Sequence, residues 1–148
     1  WYKDGASSNW YYYGEDGTAV TGWLKDTDGR WYYLSADGAM KTGWHLDSDG
    51  KWYFLSGDGA MIASGWHKDV ASNRWYYLGA SGDMQTGWFT DVDGKKYYLD
   101  KSSGAMVTGW FLDSNGKWYY FDKNGVMLAN TWVDNYYLDA TGAWTASR

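Results

Sequence analysis

Cysteine is absent from this 148-residue chain, so no disulfide braces it. That absence suits a protein exported from a cell that does not rely on disulfides, and it suits the cytosol equally. Long apolar runs are missing as well. No stretch approaches the roughly 20 residues that a membrane-spanning helix needs, and the opening Trp1-Tyr2-Lys3-Asp4 carries no charged and apolar leader. The expectation is therefore no membrane span and no signal peptide. Basic charge is scarce, with 13 Lys and Arg against 18 Asp and Glu and a net charge of -5. Stacking platforms for single-stranded nucleic acid come with a basic groove, so nucleic acid is a poor partner. Aliphatic core is thin too, and the mean hydropathy is -0.64.

What the chain holds in quantity is rings: 13 Trp, 15 Tyr and 4 Phe make 22% of its residues aromatic. A domain of this length ordinarily builds one central core from Leu, Ile and Val. Here the rings recur at fixed places. Trp1, Trp23, Trp44, Trp66, Trp88, Trp110 and Trp132 stand at intervals of 22, 21, 22, 22, 22 and 22 residues. Five of them follow Gly, at Gly22, Gly43, Gly65, Gly87 and Gly109, and most are followed by a second aromatic cluster such as Trp31-Tyr32-Tyr33. One short unit is repeated about seven times, starting near residues 1, 22, 43, 65, 87, 109 and 131. A unit that short cannot bury a face alone and must stack on its neighbours, so one elongated array over 1–148 is expected.

Each unit reads as a β-hairpin. In Gly22-Trp23-Leu24-Lys25-Asp26-Thr27-Asp28-Gly29-Arg30-Trp31-Tyr32-Tyr33-Leu34, two short strands flank an Asp-x-Asp-Gly turn whose Gly supplies positive φ. Asp47-Ser48-Asp49-Gly50, Asp91-Val92-Asp93-Gly94 and Asp113-Ser114-Asn115-Gly116 repeat the turn. A Gly-containing loop ending in Met40, Met61, Met106 or Met127 then leads to the next hairpin. No helix is expected.

Strand alternation sorts the rings, since the first and third of Trp31-Tyr32-Tyr33 share a face and the middle one points away. Trp23 lies across the turn from Trp31 or Tyr33. A ring of the next hairpin, Tyr53 or alternatively Phe54, closes over them. Each junction thus gathers two Trp of one repeat and one Tyr of the next, with a loop Met nearby, as a three-walled aromatic box. Such ring faces suit a cation that is bulky and weakly hydrated, above all a quaternary ammonium, at roughly 0.5–2 kcal/mol per ring. One box would bind near the millimolar level, about 4 kcal/mol. Several boxes meeting a polymer with many copies of the ligand gain avidity of about 10²–10⁴.

Thr-Gly-Trp, Asp-Gly-Lys-Trp-Tyr and Gly-Ala-Met-x-Thr-Gly-Trp at this spacing closely resemble the choline-binding repeats of bacterial cell-wall hydrolases and surface proteins, over essentially the whole chain. The resemblance implies an all-β fold, a left-handed β-solenoid of stacked hairpins, and a secreted module at the bacterial cell wall or surface. Its implied partner is the choline or phosphocholine of teichoic or lipoteichoic acid. Related glucan-binding repeats share the hairpin, which keeps carbohydrate binding as the alternative. Carried over, the family's box falls on Trp23, Trp31 and Tyr53 with Met40; on Trp44, Trp52 and Tyr76 with Met61; and on Trp66, Trp75 and Tyr97 with Met84. A further set is Trp110, Trp118 and Tyr136 with Met127, where the last hairpin is shortened and a displaced third wall is expected. Trp1, Trp10 and Tyr32 make one more, with Ala19 in place of Met. After Trp88, Lys96 stands where the second Trp belongs, which removes a wall and repels a cation.

Blander readings apply to the same residues. Any of these Trp can be core, but a core would accept aliphatics where this repeat uses indole and phenol again and again. The third-position rings, with Leu34, Leu55, Leu78, Leu99, Phe121 and Leu138, are the expected inner core. The Asp-x-Asp-Gly turns lack the further ligands of a calcium loop. His45 and His67 have no partners spaced for zinc and read as exposed strand residues. Paired carboxylates serve glycoside cleavage, yet these lie in copied turns, so no catalysis, metal or cofactor is expected. The chain begins within a repeat and reads as part of a larger protein. Trp144 stands at the Met position of the last repeat, where an exposed ring caps the array or meets a second copy, and a homodimer through the C-terminal repeats is one outcome.

Overall fold

The computed structural model describes residues 1–148. It contains strands and turns and no helix. The strands are β1 (Tyr2–Lys3), β2 (Trp10–Tyr11), β3 (Gly22–Lys25), β4 (Trp31–Leu34), β5 (Gly43–Leu46), β6 (Trp52–Leu55), β7 (Gly65–Asp69), β8 (Arg74–Leu78), β9 (Gly87–Thr90), β10 (Lys96–Leu99), β11 (Gly109–Leu112), β12 (Trp118–Phe121), β13 (Thr131–Val133), β14 (Tyr136–Leu138) and β15 (Trp144–Ser147). Consecutive strands pair as separate antiparallel hairpins, and only the last sheet has a third strand, in the order β13-β14-β15. The chain forms two compact units, 1–67 with 77–84 and 68–76 with 85–148, so that β7 and β8 contain the boundary.

The turn chemistry follows from the repeated motif. In the β3–β4 turn, the Asp26 amide donates to the Arg30 carbonyl and the Gly29 amide to the Asp26 carbonyl, each at 2.9 Å. Gly29 sits at φ 83°, the left-handed position that closes this class of short hairpin loop. The register then sets Trp23 opposite Tyr33 and Lys25 opposite Trp31.

Within each unit the hairpins stack as a solenoid does, through a backbone bond that joins one repeat's loop to the previous repeat's second strand. In the first unit the Met40 amide donates to Trp10 (2.7 Å), Met61 to Trp31 (2.8 Å) and Met84 to Trp52 (2.8 Å). In the second, Met106 donates to Trp75 and Met127 to Lys96, both at 2.8 Å. Leu34, Leu55, Leu78, Leu99, Phe121 and Leu138 are fully buried, one per repeat, as expected for the inner core. Of the third-position rings expected there, Tyr98 is buried and the others are not. Tyr33, Phe54 and Tyr77 are half-buried, while the middle rings Tyr32, Tyr53, Tyr76, Tyr97 and Tyr119 are buried. The third ring meets the first-strand Trp of its own hairpin, as Tyr33 does Trp23, and the middle ring is covered by the preceding repeat's Trp in the pairs Trp1–Tyr32, Trp23–Tyr53 and Trp88–Tyr119.

His45 corrects a second expectation, because it is 5% exposed. Its ring lies 3.9 Å from that of Tyr33, Lys41 Nζ stands 3.0 Å from Nδ1, and Nε2 stands 3.3 Å from Asp47 Oδ1. With an ammonium beside Nδ1 and a carboxylate beside Nε2, this network fits the tautomer that accepts at Nδ1 and donates at Nε2. The strand face that reads as exposed in one hairpin is thus covered by the third ring of the hairpin before it.

Methionine fills the space between loops. A Cβ built on Gly59, which sits at φ 89°, would collide with the Met40 thioether. Gly59→Ala combines an unfavourable backbone with overpacking and should destabilise the first unit by about 1–3 kcal/mol. Chemical denaturation followed by Trp fluorescence checks this; an unchanged midpoint would mean that Met40 moves aside freely.

Candidate functional site: aromatic boxes

Two boxes lie within the first unit. Trp23, from β3, and Trp31, from β4, line a cavity of ≈ 490 Å³ with Tyr53 of the next hairpin, Met61, Ala80 and Ser81. Trp1, Trp10, Tyr32 and Met40 line another of ≈ 460 Å³, rimmed by Asp26, Asp28, Gly57 and Asp58. The walls meet edge to face: Trp1 and Tyr32 have ring centroids 5.1 Å apart at 64°, and Trp23 and Tyr53 5.1 Å apart at 69°. In the Trp23 box the second Trp is the open wall, with Trp31 40% exposed and Trp23 half-buried, whereas in the Trp1 box both indoles are open, Trp1 at 41% and Trp10 at 40%.

The Asp-x-Asp-Gly turn aims these walls. Its first Asp accepts the indole N–H of the previous repeat's Trp: Trp1 to Asp26 at 2.9 Å, Trp23 to Asp47 at 3.0 Å and, in the second unit, Trp88 to Asp113 at 3.2 Å. Its second Asp accepts the phenol of its own hairpin's middle ring, Tyr32 to Asp28 at 2.9 Å and Tyr53 to Asp49 at 2.8 Å. In the hairpin with Asn115 the polarity reverses, and the Asn115 amide donates to the Tyr119 hydroxyl at 3.0 Å. A turn that reads from sequence only as a place for glycine therefore fixes one indole and one phenol. The repeated acidic pair was the visible signal of this role.

These bonds move the acid–base equilibria. Burial alone would raise the Asp47 carboxyl, but hydrogen bonds from Trp23 and His45 outweigh it and hold the group below its ordinary 3.8. Asp26 is lowered chiefly by the Trp1 indole. Tyr53 is pushed up to about 12 by burial, then by its bond to Asp49.

The methionines are displaced by one repeat from the expected register. Met61, not Met40, belongs with Trp23, Trp31 and Tyr53, and Met40 belongs with Trp1, Trp10 and Tyr32. That box was expected to have Ala19 in the Met position. The reason is the stacking bond: the loop after a hairpin folds back onto the second strand of the hairpin before it, so Met61 bonds to Trp31 and Met84 to Trp52. Met61 is thus tied to Trp31 and not to the set of Trp44, and Met84 is tied to Trp52 and not to Trp75. Met127 bonds to Lys96, and Trp144 takes the place expected for Met127 beside Trp110, Trp118 and Tyr136 in a cavity of ≈ 340 Å³. Trp144 is the lining residue that the four assigned positions of that box left out, although its place at the Met position had marked it.

The remaining sets divide between the two units. Trp44 on β5 and Trp52 on β6 belong to the first unit and Tyr76 on β8 to the second; Trp66 on β7 belongs to the first, and Trp75 on β8 and Tyr97 on β10 to the second. At the irregular junction Trp88 and Tyr119 still meet at 5.0 Å, but Lys96 is exposed on β10 where the open Trp wall stands elsewhere.

A family model for choline-binding repeats matches residues 4–41, 25–66, 67–108 and 102–132. The chain belongs to the choline-binding repeat family. It is similar to choline binding protein F from Streptococcus pneumoniae, at 42% identity and a TM-score of 0.86 over 98% of this chain and 47% of that one. It matches the same protein, solved in the presence of a tetrasaccharide-pentapeptide peptidoglycan analogue, at 42% identity and a TM-score of 0.85 over 98% of this chain and 46% of that one. The chain thus spans about half the length of these solved relatives. No curated protein matches it.

A pH titration tests the clamps. A carboxyl with a depressed folded pKa stabilises above its unfolded value and loses that contribution as pH falls through the folded one. The Trp23 indole N–H resonance should therefore hold steady through the ordinary 3.8 and shift only below it, and Asp47→Asn should remove the transition. At the alkaline end, Tyr53 should cost stability as pH rises from 10 towards about 12, because the unfolded chain ionises first. Tyr53→Phe should lessen that loss, as read by tyrosinate absorbance and denaturation.

Proposed function

We propose that this chain is a non-catalytic attachment module that holds the choline groups of phosphocholine-bearing teichoic or lipoteichoic acid in its aromatic boxes, as part of a secreted protein at a bacterial cell wall. The observation that carries this reading is the pair of open cavities walled by Trp, Trp and Tyr, with indole and phenol edges fixed by carboxylates and the faces left free. Ring faces attract a cation, and a trimethylammonium group offers methyls to each wall without needing hydrogen bonds. The chain itself supplies a precedent in the second unit: the Arg148 guanidinium lies 4.4 Å from the centroid of the Trp132 ring. An indole of this array already holds a cation.

The net charge of -5 favours the ammonium end of phosphocholine, while the open mouth leaves its phosphate in water. The turn carboxylates Asp26, Asp28, Asp47 and Asp49 are engaged in holding rings, which supports a binding role over catalysis. Membership of the choline-binding repeat family points to the same ligand.

Titration with choline chloride, followed by Trp fluorescence against sodium chloride and a glucan oligomer, should saturate at about millimolar choline. Trp31→Ala, which removes an exposed wall, should weaken the Trp23 box by about tenfold or more while the fold persists. A flat choline trace beside a response to glucan would replace this reading with carbohydrate binding.

A further inference from the structure

The box between β11, β12 and β14 differs from those of the first unit in what closes it. The others are closed by a methionine thioether, Met40 or Met61. Here the fourth lining residue is Trp144, and the cavity, at ≈ 340 Å³, is the smallest of the three. Tyr136 is the shared wall: its ring centroid lies 5.6 Å from that of Trp110 at 84° and 5.5 Å from that of Trp144 at 89°. Trp144 is held by its own hydrogen bond, from Nε1 to the Ala146 carbonyl at 3.0 Å, and β15 ties its backbone to β14. Its indole is oriented without a ligand and remains 40% exposed.

The polar surroundings differ as well. The Trp1 box is rimmed by three carboxylates, Asp26, Asp28 and Asp58, which accept hydrogen bonds; the lining of the Trp144 box contains no carboxylate. A cation carrying N–H groups loses water on entering a ring-lined cavity and needs acceptors there. A fully methylated ammonium needs none.

Resting on the choline reading above, we propose that Trp144 is a specificity-determining residue. It makes this box the tightest of the three for quaternary ammonium ions and, unlike the acid-rimmed Trp1 box, one that rejects protonated amines. The fourth indole adds a cation–π face in place of a thioether and narrows the cavity around the methyl groups. Choline binding at this box is about three- to tenfold tighter than at the Trp1 box. Ethanolamine, the same molecule without its methyl groups, binds here at least about tenfold more weakly than choline, whereas the Trp1 box distinguishes the two less sharply.

The test reads each box separately, by nitrogen-15 NMR of the indole N–H groups on the whole chain during titration with choline chloride or ethanolamine hydrochloride at equal ionic strength. The Trp110 and Trp118 signals should saturate at lower choline than those of Trp1 and Trp10, and should barely respond to ethanolamine. Trp144→Met should bring the choline midpoint to that of the Trp1 box, and Trp144→Ala should weaken it further. An unchanged Trp88 indole signal, from the bond to Asp113, reports that the second unit is still folded. Equal choline midpoints in wild type and both variants, or equal choline-to-ethanolamine ratios at the two boxes, would overturn the role of Trp144. Silence of every indole towards choline in the wild type would instead overturn the parent reading, and this proposal with it.

Discussion

A hairpin with four-residue strands has almost no interior, so the architecture rests on one contact made across repeats: the first-strand indole is gripped by the hairpin that follows it. In the pair of Trp23 and its successor, the N–H reaches Asp47 at 3.0 Å and the ring edge meets Tyr53 at 5.1 Å. The same two contacts recur for Trp1 with Asp26 and Tyr32, and for Trp88 with Asp113 and Tyr119. Stability and site formation thus draw on the same atoms. The indole that joins two hairpins also forms the back wall of the cavity between them, while the second-strand Trp joins the next loop only through its backbone carbonyl and leaves its ring open to a ligand.

Variation between boxes follows from who supplies each remaining wall. The back wall and the middle Tyr are structural and persist even at Trp88, where the open wall has become Lys96. The closing residue arrives from the loop one repeat further on, so it changes wherever that loop changes. Met40 and Met61 close the boxes of the first unit, and β15 brings Trp144 in the last hairpin of the second. Arg148 covers the face of Trp132, with Nη2 also donating to the Asp134 carbonyl at 3.0 Å.

Much of this was legible in the residues because the repeat amplifies local signals. The interval between Trp residues, the Asp-x-Asp-Gly turns and strand alternation together pointed to hairpins and to one buried Leu or Phe per repeat, but left open whether Tyr53 or Phe54 is the third wall beside Trp23, which the contact of Trp23 with Tyr53 decides. What stayed hidden depends on contacts between repeats. The methionine register required knowing that the Met61 amide reaches back to Trp31. His45 looked exposed because the ring that covers it, that of Tyr33, belongs to the preceding hairpin. The acidic turn residues read as turn formers because their hydrogen-bond partner, an indole about two dozen residues earlier at Trp23 for Asp47, is remote in sequence.

The most direct measurement is a crystal structure of the chain grown with saturating choline chloride. The account predicts a trimethylammonium group between Trp23, Trp31 and Tyr53, another between Trp1, Trp10 and Tyr32, and a third facing Trp110, Trp118, Tyr136 and Trp144, each with its hydroxyethyl arm directed to solvent. Empty boxes at saturating choline, or choline held away from the ring faces by carboxylates, would contradict it.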